Sequence, residues 1–430
     1  MNDDQGDRNE QASRERSKRG AVGRGTDQDL SLKVAMRRLL WRMGCSSRLD
    51  VRLRGYVAGP NRGPGWQEYT DLDVLGIGFT PAGQLHTTFA DCRSTARAPI
   101  ERMFWIRGVA DFVDADDAYM VRAQPVPSAT RTLSSRLGVG VLAPDDLAAL
   151  DRTFPTELNL HDGPLSCLFN RDATAAHLNA YDNADRKLGK VLDYLNFDYW
   201  VYEPYRNLTQ LIGHLSGVVK TLDPTNRQHR ALFYDCAWHY TLAIAHAVAY
   251  ARATRMGEIP TAIETYVAGG ELALREKGNL ARLLKRSGFP DIDDSIIQPP
   301  YIKLTVELIT RFLVRPAEIV EVLRYAEYLA VSEVNRIGDT VGEALGKHVR
   351  PVAAKLLADV CGYLVTAAGL RPDFRAAART RLVVDLTGGD PASPAENMQG
   401  SAKSDAEDLE SDAEPTETQM KLGDKEQEIS

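Results

Sequence analysis

Two acids and an arginine, Asp73, Asp91 and Arg93, stand in a stretch whose pattern brings them together. From Gln67 to Ser94 the chain reads as a strand, a tight turn and a second strand. β-Branched and aromatic residues fill each run, and Pro81 and Gly83 punctuate the middle. Strand side chains alternate with a period of two, so Arg93 shares the face of Asp91, and the hairpin carries Asp73 to the same edge. Carboxylate oxygens are ligands for hard divalent cations, and a guanidinium beside them suits a phosphate. Two carboxylates and a cation thus converge at one edge. The plainer reading is of strand-end carboxylates that cap backbone or pair with the many arginines nearby.

The pattern of Asp73 followed by Asp91-Cys92-Arg93 resembles the PD-(D/E)xK nuclease superfamily, the fold shared by many restriction endonucleases and resolvases. The resemblance implies a restriction-endonuclease-like α/β core in which Asp73 and Asp91 hold Mg2+ or Mn2+ for phosphodiester hydrolysis. It also implies a lysine two positions after the second acid, orienting or deprotonating the attacking water. Arg93 stands in that place, and a guanidinium with a pKa above about 12 cannot take a proton. Arg93 is instead expected to contact a phosphate or steady the scissile group. Asp73 matches the first acid because the apolar Val74-Leu75 follows it, with Asp71, on the same strand face, as second choice. Glu68, placed just before the strand, is expected as an added metal ligand.

The elements that must position these residues are legible from period and punctuation. A helix is predicted from Asp29, with Ser31 as a cap, Val34, Leu39, Leu40 and Met43 along one side and Gly44 at the stop. Leu49, Val51 and Leu53 alternate with Arg48, Asp50, Arg52 and Arg54, which predicts a half-exposed strand with a basic face. After a Gly and Pro loop and the hairpin, Pro99 opens an apolar helix. A strand at 118–122, a helix at 128–137 ended by Gly138, a strand at 139–142 and a short helix after Pro144 complete the run. The order α-β-β-β-α-β-α-β argues for a mixed sheet with helices on both faces. It is also the order that the resemblance implies for a nuclease core, over about residues 29–150.

From about Thr153 helical spacing replaces alternation, and residues 153–388 are predicted as an all-α domain of six to nine helices. Three features there invite a functional reading. Tyr194, Phe197, Tyr199, Trp200, Tyr202 and Tyr205 with Arg206 form the densest aromatic cluster, which is better read as a helix junction than as a base-stacking surface. His239 and His246 share a face without a third ligand and are read as core histidines. Arg206-Asn207 with His214 resembles the Arg and His pair of HEPN ribonucleases, at a spacing longer than that family's.

Residues 1–28 mix charge with Gly and Ser and lack an apolar face, so they are predicted to be a disordered arm. The tail 389–430 is predicted to be acidic and disordered. Residues 391–430 hold 11 acids and 3 lysines, a net charge of −8. The whole chain carries −7, so residues 1–390 are close to neutral and the acidic pI does not exclude a nucleic-acid partner. Five scattered cysteines without a CxxC pair indicate neither a zinc site nor a disulfide framework. No apolar run is read as reaching the roughly 18–20 residues that span a membrane, which predicts a cytoplasmic protein without membrane contact. The expected function is a metal-dependent nuclease acting on DNA ahead of RNA, in antiviral defence or DNA processing, with a protein partner or a second copy held through the helical domain. The alternative is a catalytically degenerate nuclease fold that serves nucleic-acid binding or complex assembly.

Overall fold

Apolar residues three and four apart, Met36, Leu39, Leu40 and Met43, wind the first segment into helix α1 (Asp27–Arg42), and Gly44, at φ 86°, turns the chain into the sheet. Ser31, predicted as the cap, lies inside this helix, because it begins four residues earlier. The structure is a computed structural model and describes residues 27–57, 65–80, 82–95, 99–254, 257–288 and 299–382. The expectations for the N-terminal arm before residue 27, the loop around Pro60, Pro81 and the acidic tail fall outside the described residues.

Alternating side chains build β1 (Ser46–Val57), β2 (Gly65–Phe79) and β3 (Leu85–Arg93). The hairpin strand is longer than the predicted one, so Glu68 lies within β2 and not before it. Helix α2 (Pro99–Phe112) crosses to β4 (Asp117–Arg122); α3 (Ser128–Leu137), closed by Gly138 in a left-handed conformation, leads to β5 (Val139–Leu142) and α4 (Pro144–Thr153). The sheet order is β1-β2-β3-β4-β5. The first three strands are antiparallel, and β4 and β5 join in parallel through helical crossovers. The predicted five-stranded mixed sheet with flanking helices is therefore present.

The second half is helical, as predicted. It comprises α5 (Arg171–Leu178), a winding stretch from Gly189 to Val201 with a π-helical turn at Tyr194–Asp198, α6 (Pro204–Ser216), α7 (Arg227–Thr254), α8 (Ile259–Ala268), α9 (Glu271–Arg286), α10 (Ile302–Leu313), α11 (Ile319–Val334), α12 (Pro351–Ala368) and α13 (Asp373–Arg381), with a short turn at Val341–Leu345. Helix α7 is buried at almost every position from Ala231 to Val248, which marks it as the axis of this half. Helix α12 has the length and apolar character to cross a membrane, contrary to the expectation that no run does. Lys355 and Asp359 interrupt its sequence and hide that length, while Leu357, Val360, Cys361 and Leu364 are buried in the protein core.

The change of character near residue 151 is a change of secondary structure only, since one hydrophobic cluster runs from Val34, Val51 and Phe89 through Trp238 and Leu329 to Leu382. Charged pairs cross the same boundary. Arg37 meets Glu327 at 2.6 Å with both nearly inaccessible, and Arg48 meets Asp235 at 2.7 Å. Arg324 donates to the carbonyl oxygen of Cys45 at 3.1 Å and lies 4.2 Å over the Trp41 ring.

Candidate active site

The sheet places the predicted acids by leaving rungs of its ladders unmade. In the β2–β3 pair the last rung is Val74 with Ala90, so Asp73 and Asp91 come one step beyond it, where the strands part. There the Cys92 amide donates to Asp73 Oδ2 at 2.7 Å, and a side chain takes over the role of the backbone ladder. On the other side of β2, Leu49 pairs with Val74 and Val51 with Leu72, but the rung between them, Asp50 with Asp73, is missing. Asp50 has φ 53°, in the left-handed region, where an aspartate costs less than most side chains. Leu49 and Val51 consequently belong to different core clusters, although strict alternation would put them on one face.

Lys33, on α1, fills the gap. Its Nζ stands 2.7 Å from Asp73 Oδ1 and pairs with Asp50 as well. Lys33 is 4 % exposed. Burial alone would strip its charge, but Asp73 and Asp50 outweigh that penalty and raise its pKa above the ordinary lysine value. Lys33 therefore stays protonated near neutrality. Burial pushes the Asp73 carboxyl up to about 6, reinforced by Asp91 and opposed by Lys33 and the Cys92 amide. Asp71, on the same strand, completes a cluster in which Asp50, Asp71 and Asp73 each offer an oxygen within 4.8 Å of the others.

Asp91 sits among arginines. Arg102, in the first turn of α2, grips it bidentately, Nε to Oδ2 at 3.1 Å and Nη2 to Oδ1, and its guanidinium lies 3.4 Å from the centre of the Trp105 ring. Arg93 reaches Asp91 Oδ1 at a long 3.4 Å. Burial works against the charge of Arg93, but Asp91, Asp73 and Asp71 together raise its pKa, so this cation senses both groups of acids. Burial lowers the pKa of Arg122, and Arg102 and Arg93 add to that effect while Asp91 opposes it. The Cys92 thiol, buried beside Asp73 and Asp91, is pushed well above its usual pKa and is no nucleophile.

The structure brings Asp73 and Asp91 to adjacent strands and Arg93 to Asp91, as predicted. A group of three oxygens close enough to share one cation is formed by Asp50, Asp71 and Asp73. Glu68 is exposed on β2 opposite Arg54, outside that cluster. Lys33, Asp50 and Arg102 escaped the sequence reading. The one signal for Lys33 was a lysine set between Leu32 and Val34, where the helix should be apolar. In the helical half, Asn207, His214 and His239 pack against the aromatic cluster. Asn207 is buried between Tyr194 Oη and the Tyr199 carbonyl, both at 2.9 Å, while Arg206 stays exposed beside Tyr205. His214 stacks on Tyr194 at 4.5 Å, and His239 lies buried among Tyr199, Trp200 and Trp238.

No protein-family model, curated protein or solved structure matches this chain.

The donor set suits a hard divalent cation. Its ligands are carboxylate oxygens, and oxygens bound about 2.0–2.6 Å from one ion lie no more than roughly 5 Å apart, a span compatible with the 4.8 Å limit of the cluster. Lys33 holds two of the three acids, so cation binding requires its ammonium to share or yield them.

Proposed function

We propose that the protein is a metal-dependent nuclease that hydrolyses phosphodiester bonds of DNA or RNA, with Asp50, Asp71 and Asp73 as the residues that would hold Mg2+ or Mn2+. The observation that carries this reading is the close approach of three aspartate oxygens at one edge of a mixed sheet, beside a buried lysine. The element order is the one the nuclease resemblance implies, and it supports the reading further. A divalent cation, if held by Asp50, Asp71 and Asp73, would supply Lewis-acid chemistry toward a phosphate ester. Lys33 and Arg93, both protonated near neutrality, contribute fixed positive charge toward a phosphate and cannot act as bases. Arg102 grips Asp91, the second predicted ligand, through both oxygens, so a cation bound by Asp91 would require Arg102 to share or yield it. Cleavage of single- and double-stranded DNA and RNA should require Mn2+ or Mg2+ and fall at least a hundredfold in Asp73→Asn; metal-independent cleavage would remove this reading.

A second reading, a nuclease fold without catalysis, is favoured by one specific observation. Asp50, Asp71, Asp73 and Asp91 are balanced by Lys33, Arg93, Arg102 and Arg122, so the cluster needs no metal for neutrality. Absence of cleavage by the intact chain with either metal, alone and with a genetically linked partner, would select it.

A further inference from the structure

The charges around the acid cluster balance as a whole but are segregated. Three carboxylates, Asp50, Asp71 and Asp73, gather about the one ammonium of Lys33. Three guanidiniums, Arg93, Arg102 and Arg122, gather about the one carboxylate of Asp91. The sheet sets two of these arginines on a single rung. Arg93 and Arg122 are paired where the parallel strands β3 and β4 end, and like charges placed opposite one another repel. By alternation Arg93 shares its face with Asp91 and Phe89, and Phe89 meets Trp105 of α2 edge to face at 6.3 Å. Arg102, three residues before Trp105, is brought over the same corner and fixed there by its two-point grip on Asp91 and by the Trp105 ring. That grip leaves donors over. Arg93 brings only Nε to Asp91, at 3.4 Å, so both its Nη groups and Nη1 of Arg102 have no hydrogen-bond partner among the described residues. The two side chains are 37 % and 25 % exposed, and none of these three nitrogens is buried. Arg122 adds its charge from a buried position, and of the described acids Asp91 is the one that favours it.

We infer that Arg93, Arg102 and Arg122 form a subsite for a phosphate dianion, either inorganic phosphate or a phosphomonoester. Charge selects that ligand. Three guanidiniums against one carboxylate leave two positive charges, which a phosphomonoester, close to doubly charged at neutral pH, neutralises. A phosphodiester or a carboxylate carries a single charge and leaves the second unanswered. Geometry agrees with charge. Guanidinium forks match phosphate oxygens in pairs, and donors that arrive from two strands and a helix suit a tetrahedral group better than a planar one. Position agrees as well, since the carboxyl ends of parallel strands are where α/β sheets take ligands. The subsite stands on the arginines alone and does not require the acids to hold a metal. Joined to the nuclease reading above, it would take the terminal phosphate of a strand.

The test is calorimetric titration of the full chain in EDTA with inorganic phosphate, thymidine monophosphate, dimethyl phosphate and acetate, at constant ionic strength. Phosphate and the monophosphate should each saturate one site, roughly tenfold or more tighter than dimethyl phosphate or acetate. Arg93→Gln should weaken phosphate binding roughly ten- to hundredfold at an unchanged melting temperature, because its contact with Asp91 is long and its side chain partly exposed. Arg102→Gln also strips Asp91 of its partner, so the decision rests on Arg93→Gln, with Arg93→Lys, which keeps the charge, recovering part of the affinity. A short oligo-dT with and without a terminal phosphate separates the sources. Tighter binding of the phosphorylated strand than of inorganic phosphate assigns the subsite to strand ends, and equal or weaker binding assigns it to free phosphate; both support it. No saturable binding up to about 10 mM phosphate, equal binding of dimethyl phosphate, or affinity unmoved by Arg93→Gln would overturn the inference. The two readings fail separately. Metal-dependent cleavage by a chain that binds no phosphate refutes the subsite alone, and Arg93-dependent phosphate binding without metal-dependent cleavage refutes the nuclease alone.

Discussion

Lys33 is the residue on which the candidate site turns, because its ammonium is the positive charge that Asp50 and Asp73 share in the interior. Removing one partner of a buried ion pair strands the other, at a cost of about 3–5 kcal/mol. Lys33→Met should therefore destabilise the protein by about that amount, and Asp73→Asn by less, since Lys33 keeps Asp50; equal losses in urea unfolding would show that Lys33 is not the keystone. His239 makes a separate prediction. Burial first, then Arg48, lowers its pKa to about 3. Below the unfolded value near 6.5 the unfolded chain binds a proton that the native state refuses, so stability falls as pH drops, by about 1.4 kcal/mol per unit, until about pH 3. His239→Leu should remove one such proton's worth of slope from urea midpoints between pH 6 and 4; an unchanged slope would place that proton elsewhere.

Most elements were legible because each had punctuation of its own. Gly138 closes α3 where predicted, Pro99 and Pro144 open α2 and α4, alternation located β1, and runs of β-branched and aromatic residues located β2 and β3. The site was legible only in part, for a physical reason. Asp73, Asp91 and Arg93 announce themselves by spacing along two paired strands, whereas Lys33 and Arg102 reach the cluster from helices, and no spacing in sequence encodes that approach. Asp50 was hidden differently: Leu49, Val51 and Leu53 read as a regular strand, and the left-handed residue between the first two leaves their alternation intact. The element scale therefore tests Asp50 as a bulge residue. Asp50→Gly should keep the fold, since glycine takes the left-handed conformation freely, whereas Asp50→Val should cost about 1–3 kcal/mol by strain. Equal stability of the two in thermal melts would contradict that assignment.

Across the whole molecule the two secondary-structure regimes share one core, and the axis helix α7 packs its Trp238 against the sheet, donating to Ser46 Oγ at 3.3 Å. A fragment ending near Asp151 would expose the apolar face that α7 and α11 cover and would leave Arg37 and Arg48 without Glu327 and Asp235. Such a fragment should be insoluble or lack a cooperative unfolding transition; a cooperatively folded fragment would show that the helical half is dispensable to the sheet. Because the arginines and their carboxylates cross this boundary, changes in the helical half should also reach the acid cluster. Glu327→Gln leaves Arg37 buried without its charge partner, and it should lower stability by about 3 kcal/mol even though it lies outside the site.

The most direct measurement is calorimetric titration of Mn2+ into the intact chain and four variants at neutral pH. One saturable site is expected in the intact chain and in Glu68→Gln and Arg102→Ala, with tenfold or weaker affinity in Asp71→Asn and no binding in Asp73→Asn. No binding by the intact chain up to millimolar Mn2+, or a site that survives in Asp73→Asn, would contradict the assignment of Asp50, Asp71 and Asp73 as a metal centre.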